Sequence, residues 1–83
     1  MKVTIKYFAS IREAIGQGSE VRDTTATTLA ALRDELLTAT PAHAASLARG
    51  RSVRMALNQV MSDEAALLSE GCEVAFFPPV TGG

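Results

Sequence analysis

The segment FFPPVTGG, residues 76–83, holds the residues that offer chemistry most directly. Gly82 and Gly83 carry no side chain, so they leave a sterically open carboxylate whose carbonyl carbon is accessible for activation as an acyl-adenylate. A Gly-Gly end also fits a channel that is too narrow for any side chain. A flexible end without a role is the alternative interpretation, and the dipeptide alone leaves both open.

Pro78 and Pro79 stand directly before this end. Because proline has no N–H to donate to a ladder, we expect the sheet to stop at Phe77. A proline pair favours extended polyproline II geometry, and residues 78–83 would span about 20 Å when extended. We therefore predict a globular domain over residues 1–77 and an extended tail over residues 78–83.

Two other side chains are capable of chemistry, and neither has suitable neighbours. Cys72 lies close to Glu70 and Glu73, whose charges oppose formation of a thiolate, so we predict that it is non-catalytic. His43 lies in an Ala-rich stretch without another histidine, and we expect it to be solvated. One cysteine and one histidine exclude a multi-cysteine zinc site, and no metal or cofactor site is predicted in the domain itself.

The composition limits the remaining classes of function. The chain has 83 residues, of which 47% are hydrophobic, which is enough for one packed domain. Eight Lys and Arg balance nine Asp and Glu, so the sequence has neither the basic footprint of a nucleic-acid binder nor a polybasic membrane anchor. The lone cysteine, the missing signal-peptide pattern and the lack of a long apolar run favour a cytoplasmic protein.

Alternating apolar and polar residues predict the strands that must position the tail. KVTIKYF, SEVRD, SVRMALNQ and CEVAFF alternate in this way, and a further short strand is expected at the start of VMSDEAALLSEG. We expect SEVRD to pair with the first strand as a hairpin. The predicted inward side chains are Val3, Ile5, Tyr7, Val53, Met55, Leu57, Val74 and Phe76.

Helical spacing appears between the second and third of these strands. In TTLAALRDELLTAT, the inward stripe is predicted to consist of Leu29, Leu32, Leu36 and Leu37. Arg33 and its neighbours Asp34 and Glu35 are expected largely outside it. Thr27 or Thr28 is the predicted N-cap, and Pro41 marks the end of this helix. SIREAIGQG predicts a shorter helix that ends at Gly16. One main helix on one mixed sheet is an α+β two-layer domain.

Two aromatic residues are predicted to lie on the outward face of the sheet. Phe8 shares its face with Lys6, and Phe77 shares its face with Glu73. If the first and last strands are neighbours, both rings form one apolar patch beside the tail, and Met61 is a further candidate for it. A contiguous exposed apolar patch usually marks a partner site. Two alternatives stay open: a loop covers the rings, or the register is shifted by one residue, which would exchange the faces.

The pieces YFASIREAIG, TLAALRDEL, ALNQ and EGCEVAFFPPVTGG together resemble the family of small, sulfur-carrying subunits of molybdopterin synthase. The resemblance covers nearly the whole chain, and FFPPVTGG at the C-terminus is its most specific part. It implies a β-grasp, ubiquitin-like fold. The chain departs from the family pattern at Cys72, where the family usually has Asp, and this difference does not affect the chemistry of the tail.

The resemblance also implies a mechanism. An E1-like adenylyltransferase would adenylate Gly83 with ATP, and a sulfur donor would convert the acyl-adenylate to a thiocarboxylate. The tail would then enter the large synthase subunit and supply sulfur for the dithiolene made from cyclic pyranopterin monophosphate. The family assembly, two small and two large subunits, implies a heterotetramer. The residues expected to carry and insert the terminus are Pro78, Pro79, Val80, Thr81, Gly82 and Gly83.

Three other functions stay open at this stage. A sulfur carrier of the thiamine pathway has a similar fold and terminus, although its members are usually shorter and lack FFPPVTGG. A ubiquitin-like modifier would use the same terminus for conjugation to lysines. An interaction module with an inert tail would not need Gly83 at all.

Overall fold

The computed structural model describes residues 1–79, which form five strands and three helices. In chain order they are β1 (Lys2–Tyr7), α1 (Ala9–Ile15), β2 (Ser19–Asp23), α2 (Leu29–Leu37), α3 (Pro41–Leu47), β3 (Arg54–Leu57), β4 (Val60–Ser62) and β5 (Glu73–Phe77). The five predicted strands are confirmed, and the α+β class is confirmed with them.

The strands form one mixed sheet in the order β2-β1-β5-β3-β4. The first and last strands of the chain, β1 and β5, are parallel neighbours at its centre, with Ile5 opposite Val74 and Tyr7 opposite Phe76. The other pairs are antiparallel. The predicted pairing of β1 with β2 is confirmed, although α1 lies in the connection and the two strands are not joined by a tight turn.

The core lies between the sheet and α2. Alternation along β1 and β5 turns every second side chain inward, and the most deeply buried of these are Ile5, Val74 and Phe76, each 0% exposed. The predicted stripe of α2 meets them with Leu29, Leu32 and Leu36, also fully buried. The hydroxyl of Thr28 caps this helix by accepting from the Ala31 N–H at 3.1 Å, as predicted.

Arg33 is buried, so the prediction that it faces solvent is wrong. It follows Leu29 by four residues and therefore lies on the same helix face. Its Nε donates to the carbonyl of Leu47 at 2.7 Å, and its Nη2 donates to that of Ala48 at 3.0 Å. These carbonyls end α3 and lack intrahelical donors, so the guanidinium caps one helix from the side of another. Burial lowers the pKa of Arg33.

His43 is also buried, so the prediction that it is solvated is wrong. The segment beyond α2 is a third helix, in which Thr40 is the N-cap and Pro41 the first residue. The Thr40 hydroxyl lies 2.7 Å from Nδ1 of His43 and can donate to it, which leaves the Nε2–H to donate to Glu20 at 3.2 Å. The Tyr7 hydroxyl donates to the same carboxylate at 2.8 Å. Burial and this bond raise the pKa of Tyr7, and the network fixes α3 against β1 and β2.

A tight turn joins β3 to β4. Asn58 and Gln59 occupy it with φ of 50° and 69°, and positive φ at both positions is typical of the type I′ hairpin turn. The Asn58 side chain accepts from the Glu73 N–H at 2.9 Å, which ties the turn to the start of β5. The turn sets the position of Met61 on β4.

Candidate functional site

The base of the tail, Pro78 and Pro79, is here called the tail root. Strand β5 ends at Phe77, directly before these prolines, and both prolines are half-buried. Because β5 is paired on both sides, the direction in which the chain leaves the sheet is fixed by the domain. Val80, Thr81, Gly82 and Gly83 lie outside the described residues, so their roles stay predictions, and so does the division of the chain at residue 77.

Phe8 and Phe77 lie beside the tail root and contact each other. Their rings meet edge to face, with centroids 6.4 Å apart and an interplanar angle of 85°. The extended backbone of Phe8 continues β1, and its N–H donates to the Phe76 carbonyl at 3.2 Å. Ala9 then turns the chain with φ of 51°, which leaves Phe8 46% exposed at the start of α1. Phe77 is half-buried. The predicted adjacency of the two rings is confirmed.

Met61 lies on the same face of the sheet, two strands away from β5. It is opposite Ala56 of β3, which is in turn opposite Ala75 of β5. Both alanines are small and 7% exposed, whereas Met61 is 56% exposed. Phe8, Phe77 and Met61 are here called the docking patch; their role in binding is a prediction.

Charged side chains border the docking patch. The Lys6 side chain of β1 is on the same face, and its Nζ lies 3.5 Å from Oε1 of Glu73 on β5. The two charges of this pair cancel. Arg54 is opposite Phe77 in the β3–β5 ladder and is exposed. Alternation along β3 places Arg54 on the outward face, just as alternation along β5 places Phe77 there, so the position of Arg54 was predictable from the sequence.

An open cleft of about 350 Å³ lies on the other side of the tail root. Its apolar lining includes Ile11 of α1, Val53 and Pro78, and its polar lining includes Ser10, Ser52 and Arg51. Pro78 therefore contacts the domain rather than projecting freely from it. The sequence did not predict this cleft, because it forms between α1 and the α3–β3 connection, which are distant in the chain.

The other residues that are capable of chemistry do not join this site. Cys72 is 3% exposed and belongs to the hydrophobic core cluster, which agrees with a structural role. His43 and Glu20 belong to the network under α3. Within residues 1–79, no group of three or more His, Cys, Asp and Glu side chains could hold a metal ion. No helix in this part of the chain is long and apolar enough to cross a membrane.

The chain is similar to known proteins over nearly its whole length. The model of the ThiS family matches residues 5–83. The molybdopterin synthase sulfur carrier subunit of Escherichia coli (strain K12) is 35% identical over 81 residues, which cover 98% of this chain and 99% of the relative.

Solved structures share the fold. SAMP1, a small archaeal modifier protein from Haloferax volcanii, superposes with a TM-score of 0.79 at 25% identity and covers 100% of both chains. A chain from the complex of subunits 1 and 2 of molybdopterin-converting factor from Helicobacter pylori 26695 superposes with a TM-score of 0.73 at 25% identity, again over 100% of both chains. The predicted β-grasp arrangement is thereby confirmed.

Proposed function

Because this chain belongs to the ThiS family, we propose that it is the sulfur-carrying small subunit of a molybdopterin synthase. The observation that carries the proposal is the match, over 98% of the chain, to a relative with that name. The domain supplies the docking surface and the terminus. The catalytic groups belong mostly to its partners, so the chain is not an enzyme alone.

The chemistry proposed for Gly83 has two steps. In the first, its carboxylate oxygen attacks the α-phosphorus of ATP on an E1-like adenylyltransferase, and pyrophosphate leaves. In the second, sulfur from a donor at the sulfide level forms a bond to the carbonyl carbon, and AMP leaves as the thiocarboxylate is produced. ATP is bound by the partner enzyme, and no cofactor is assigned to this domain.

The large subunit of the synthase is the proposed acceptor of the charged tail. The relevant likeness is to a chain solved in a complex of subunits 1 and 2 of molybdopterin-converting factor. Four residues follow the tail root, and four residues span at most about 13 Å when fully extended, which would let a terminus enter a pocket while the domain stays outside. There the thiocarboxylate would deliver one sulfur to cyclic pyranopterin monophosphate. We propose two small and two large subunits in the assembly.

The docking patch supports this arrangement physically. Phe8 and Met61 are large apolar side chains that are 46% and 56% exposed, and Phe77 contacts Phe8 directly before the tail root. Partner contacts that bury aromatic side chains contribute strongly to binding, because such residues combine a large apolar area with little loss of conformational freedom. A partner that covers this patch would also hold the tail root in one orientation.

Intact-mass measurement of the protein isolated from its native cells tests the proposal. The carrier function predicts a fraction whose mass has increased by the exchange of one oxygen for one sulfur at the C-terminus. A chain that never gains this mass, in cells that are making molybdopterin, would rule out the carrier role.

A protein modifier is the second candidate function, because the fold also superposes on SAMP1, with a TM-score of 0.79. A modifier would be joined through Gly83 to lysine side chains of other proteins. Higher-mass conjugates that disappear when Gly83 is deleted would favour it, whereas a thiocarboxylate without conjugates would favour the carrier.

A further inference from the structure

Some basic side chains of the domain form ion pairs, whereas others, including two beside the tail root, do not. Among residues 1–79, the pairs within 4 Å include Lys6, Arg22, Arg33 and Arg49, each with a carboxylate. No acidic partner within these residues contacts the side chains of Lys2, Arg12, Arg51 and Arg54. Arg51 and Arg54 are the two of this second group that border the tail root.

The two arginines lie on different sides of the tail root. Arg54 is on the outward sheet face, opposite Phe77 and therefore next to the docking patch. Arg51 lines the cleft in which Pro78 forms one wall. Both residues are exposed, so neither charge has lost its solvation in the free domain.

Within the cleft, the lining favours a carboxylate on a short apolar stem. Ile11 and Val53 provide apolar wall, while the hydroxyls of Ser10 and Ser52 and the guanidinium of Arg51 supply donors. An arginine fork binds both oxygens of a carboxylate, which gives this pairing its directionality.

We propose that Arg51 and Arg54 bind acidic side chains on the protein that receives the tail, with Arg51 taking one of them at the mouth of the cleft. This inference rests on the proposed carrier function, since it assigns the partner of the tail an acidic border around its entrance. The arginines border the tail root, and residues 80–82 stand between it and Gly83, so we assign them to association of the two proteins and not to the chemistry of the terminus. Complementary charge at the rim of an interface acts mainly on the association rate.

Charge reversal measures this contribution. The variants R51E, R54E and the double variant are mixed with the purified large subunit of the same organism, and association rates are followed by stopped-flow fluorescence. We expect each single reversal to lower the association rate about 3- to 10-fold near 0.01 M salt, and the loss to shrink toward 1 M salt as the screening length falls from about 30 Å to about 3 Å. The neutral variants R51Q and R54Q should give smaller losses in the same direction.

Lys2→Glu is the matched control, because Lys2 is exposed at the opposite end of β1 and its side chain likewise has no acidic partner within residues 1–79. K2E changes the net charge by the same amount as R51E or R54E does, but at a position away from the tail root. If K2E slows association as much as R51E and R54E do, the effect belongs to the net charge and the inference is wrong. If the arginine variants bind as fast as wild type at low salt, the inference is also wrong, while the carrier function stands as long as wild type is thiocarboxylated and binds.

The carboxylate of Gly83 itself is the other source of negative charge that Arg51 could bind. NMR of the Arg51 side-chain N–H in the free protein distinguishes it, by comparing the full chain with one in which the Gly83 carboxylate is converted to a neutral carboxamide. We expect the Arg51 signal to stay in place when this charge is removed. A clear shift would assign Arg51 to the tail of its own chain and overturn the proposed partner contact.

Discussion

The Phe8 and Phe77 rings lie edge to face with centroids 6.4 Å apart, although 68 residues of chain separate them. The contact exists because β1 and β5 are parallel neighbours, so the C-terminal ends of both strands lie at the same end of the sheet. Phe8 directly follows the first strand of the domain, and Phe77 is the last residue of the strand that precedes the tail. The apolar surface beside the tail is therefore complete only when both strands are in place.

Truncation of these rings should separate binding from stability. We expect Phe8→Ala and Phe77→Ala each to weaken binding to the large subunit by about 2 kcal/mol or more, as is usual for central aromatic residues, in calorimetric titration. Phe76→Ala is the matched control, since this ring is fully buried and its loss should lower the free energy of unfolding by about 3–5 kcal/mol. A Phe77→Ala variant that loses as much stability as Phe76→Ala would contradict the assignment of Phe77 to the docking patch.

Changing the last residue should abolish charging with sulfur and leave the fold intact. Deletion of Gly83, or extension of the chain by one residue, displaces the carboxylate from the site where the activating enzyme holds it, and a displacement of about 1 Å can reduce a rate by about 100-fold. The melting temperature should be nearly unchanged, because the core cluster found within residues 1–79 extends only to Phe76. Thiocarboxylation is measured by intact mass after incubation with ATP, the activating enzyme and a sulfur donor. An extended chain that is charged without prior trimming would refute the mechanism.

Removal of the Arg33 side chain should destabilise the domain. Arg33→Ala removes the side-chain donor from the buried Leu47 carbonyl, whereas the Ala48 carbonyl still accepts from the Arg51 N–H at 2.9 Å. An unsatisfied buried group costs about 1–3 kcal/mol, so urea unfolding should show a loss of about that size in the free energy of unfolding. Arg51→Ala, at an exposed arginine, is the control and should change stability by less than about 0.5 kcal/mol. Equal stability of the two variants would mean that the buried bonds do not hold α3.

Glycine at position 59 should stabilise the protein. Gln59 has φ of 69°, a conformation that costs a residue with a side chain about 1–2 kcal/mol and glycine much less. We therefore expect Gln59→Gly to raise the free energy of unfolding by about 0.5–1 kcal/mol, less than the full strain because glycine also gains freedom in the unfolded chain. Gly16→Ala, at φ of 88°, is the reverse control and should destabilise. A Gln59→Gly variant that is less stable than wild type would show that the Gln59 side chain makes a stabilising contribution.

The Glu35 carboxylate should make the stability of the fold depend on pH. Partial burial raises the pKa of this carboxyl, but hydrogen bonds from Thr24 and Arg22 outweigh it and hold the pKa below the ordinary value of 4.5. A carboxyl with a lowered pKa in the folded state contributes stability above its unfolded pKa, and that contribution is lost as the pH falls through the folded value. Glu35→Gln should therefore be less stable than wild type at pH 7, with a difference that narrows below about pH 4.5. Thermal melts across this range test it, with the exposed Glu13→Gln as control.

The sheet was largely predictable because burial on one face leaves a period of two in the sequence. Val3, Ile5 and Tyr7 show that period, and so do Val74 and Phe76, so the faces of β1 and β5 followed directly. The order of the strands did not follow, since periodicity says which side of a strand is buried and nothing about its neighbour.

The two wrong predictions share a physical cause. Arg33 and His43 are polar residues buried by partners that are distant in the chain, namely the end of α3 for the first and Glu20 of β2 for the second. Hydrophobic pattern alone assigns such residues to solvent. Local signals for both did exist, because Arg33 continues the spacing of the α2 stripe from Leu29, and Thr40-Pro41 is a typical helix start. The role proposed for Gly83 depends on the chemistry of the chain terminus and not on packing, so the sequence alone was enough to suggest it.

The central position of β5 has a mechanical consequence. A pull on the tail enters the domain along β5, which is bonded to β1 on one side and to β3 on the other. Force along a strand loads the hydrogen bonds on both of its sides in shear, so they must rupture together, whereas a pull across an edge strand would open bonds one at a time. A force applied to the C-terminal residues would therefore act first on the middle strand of the sheet, and only afterwards on the edge strands β2 and β4.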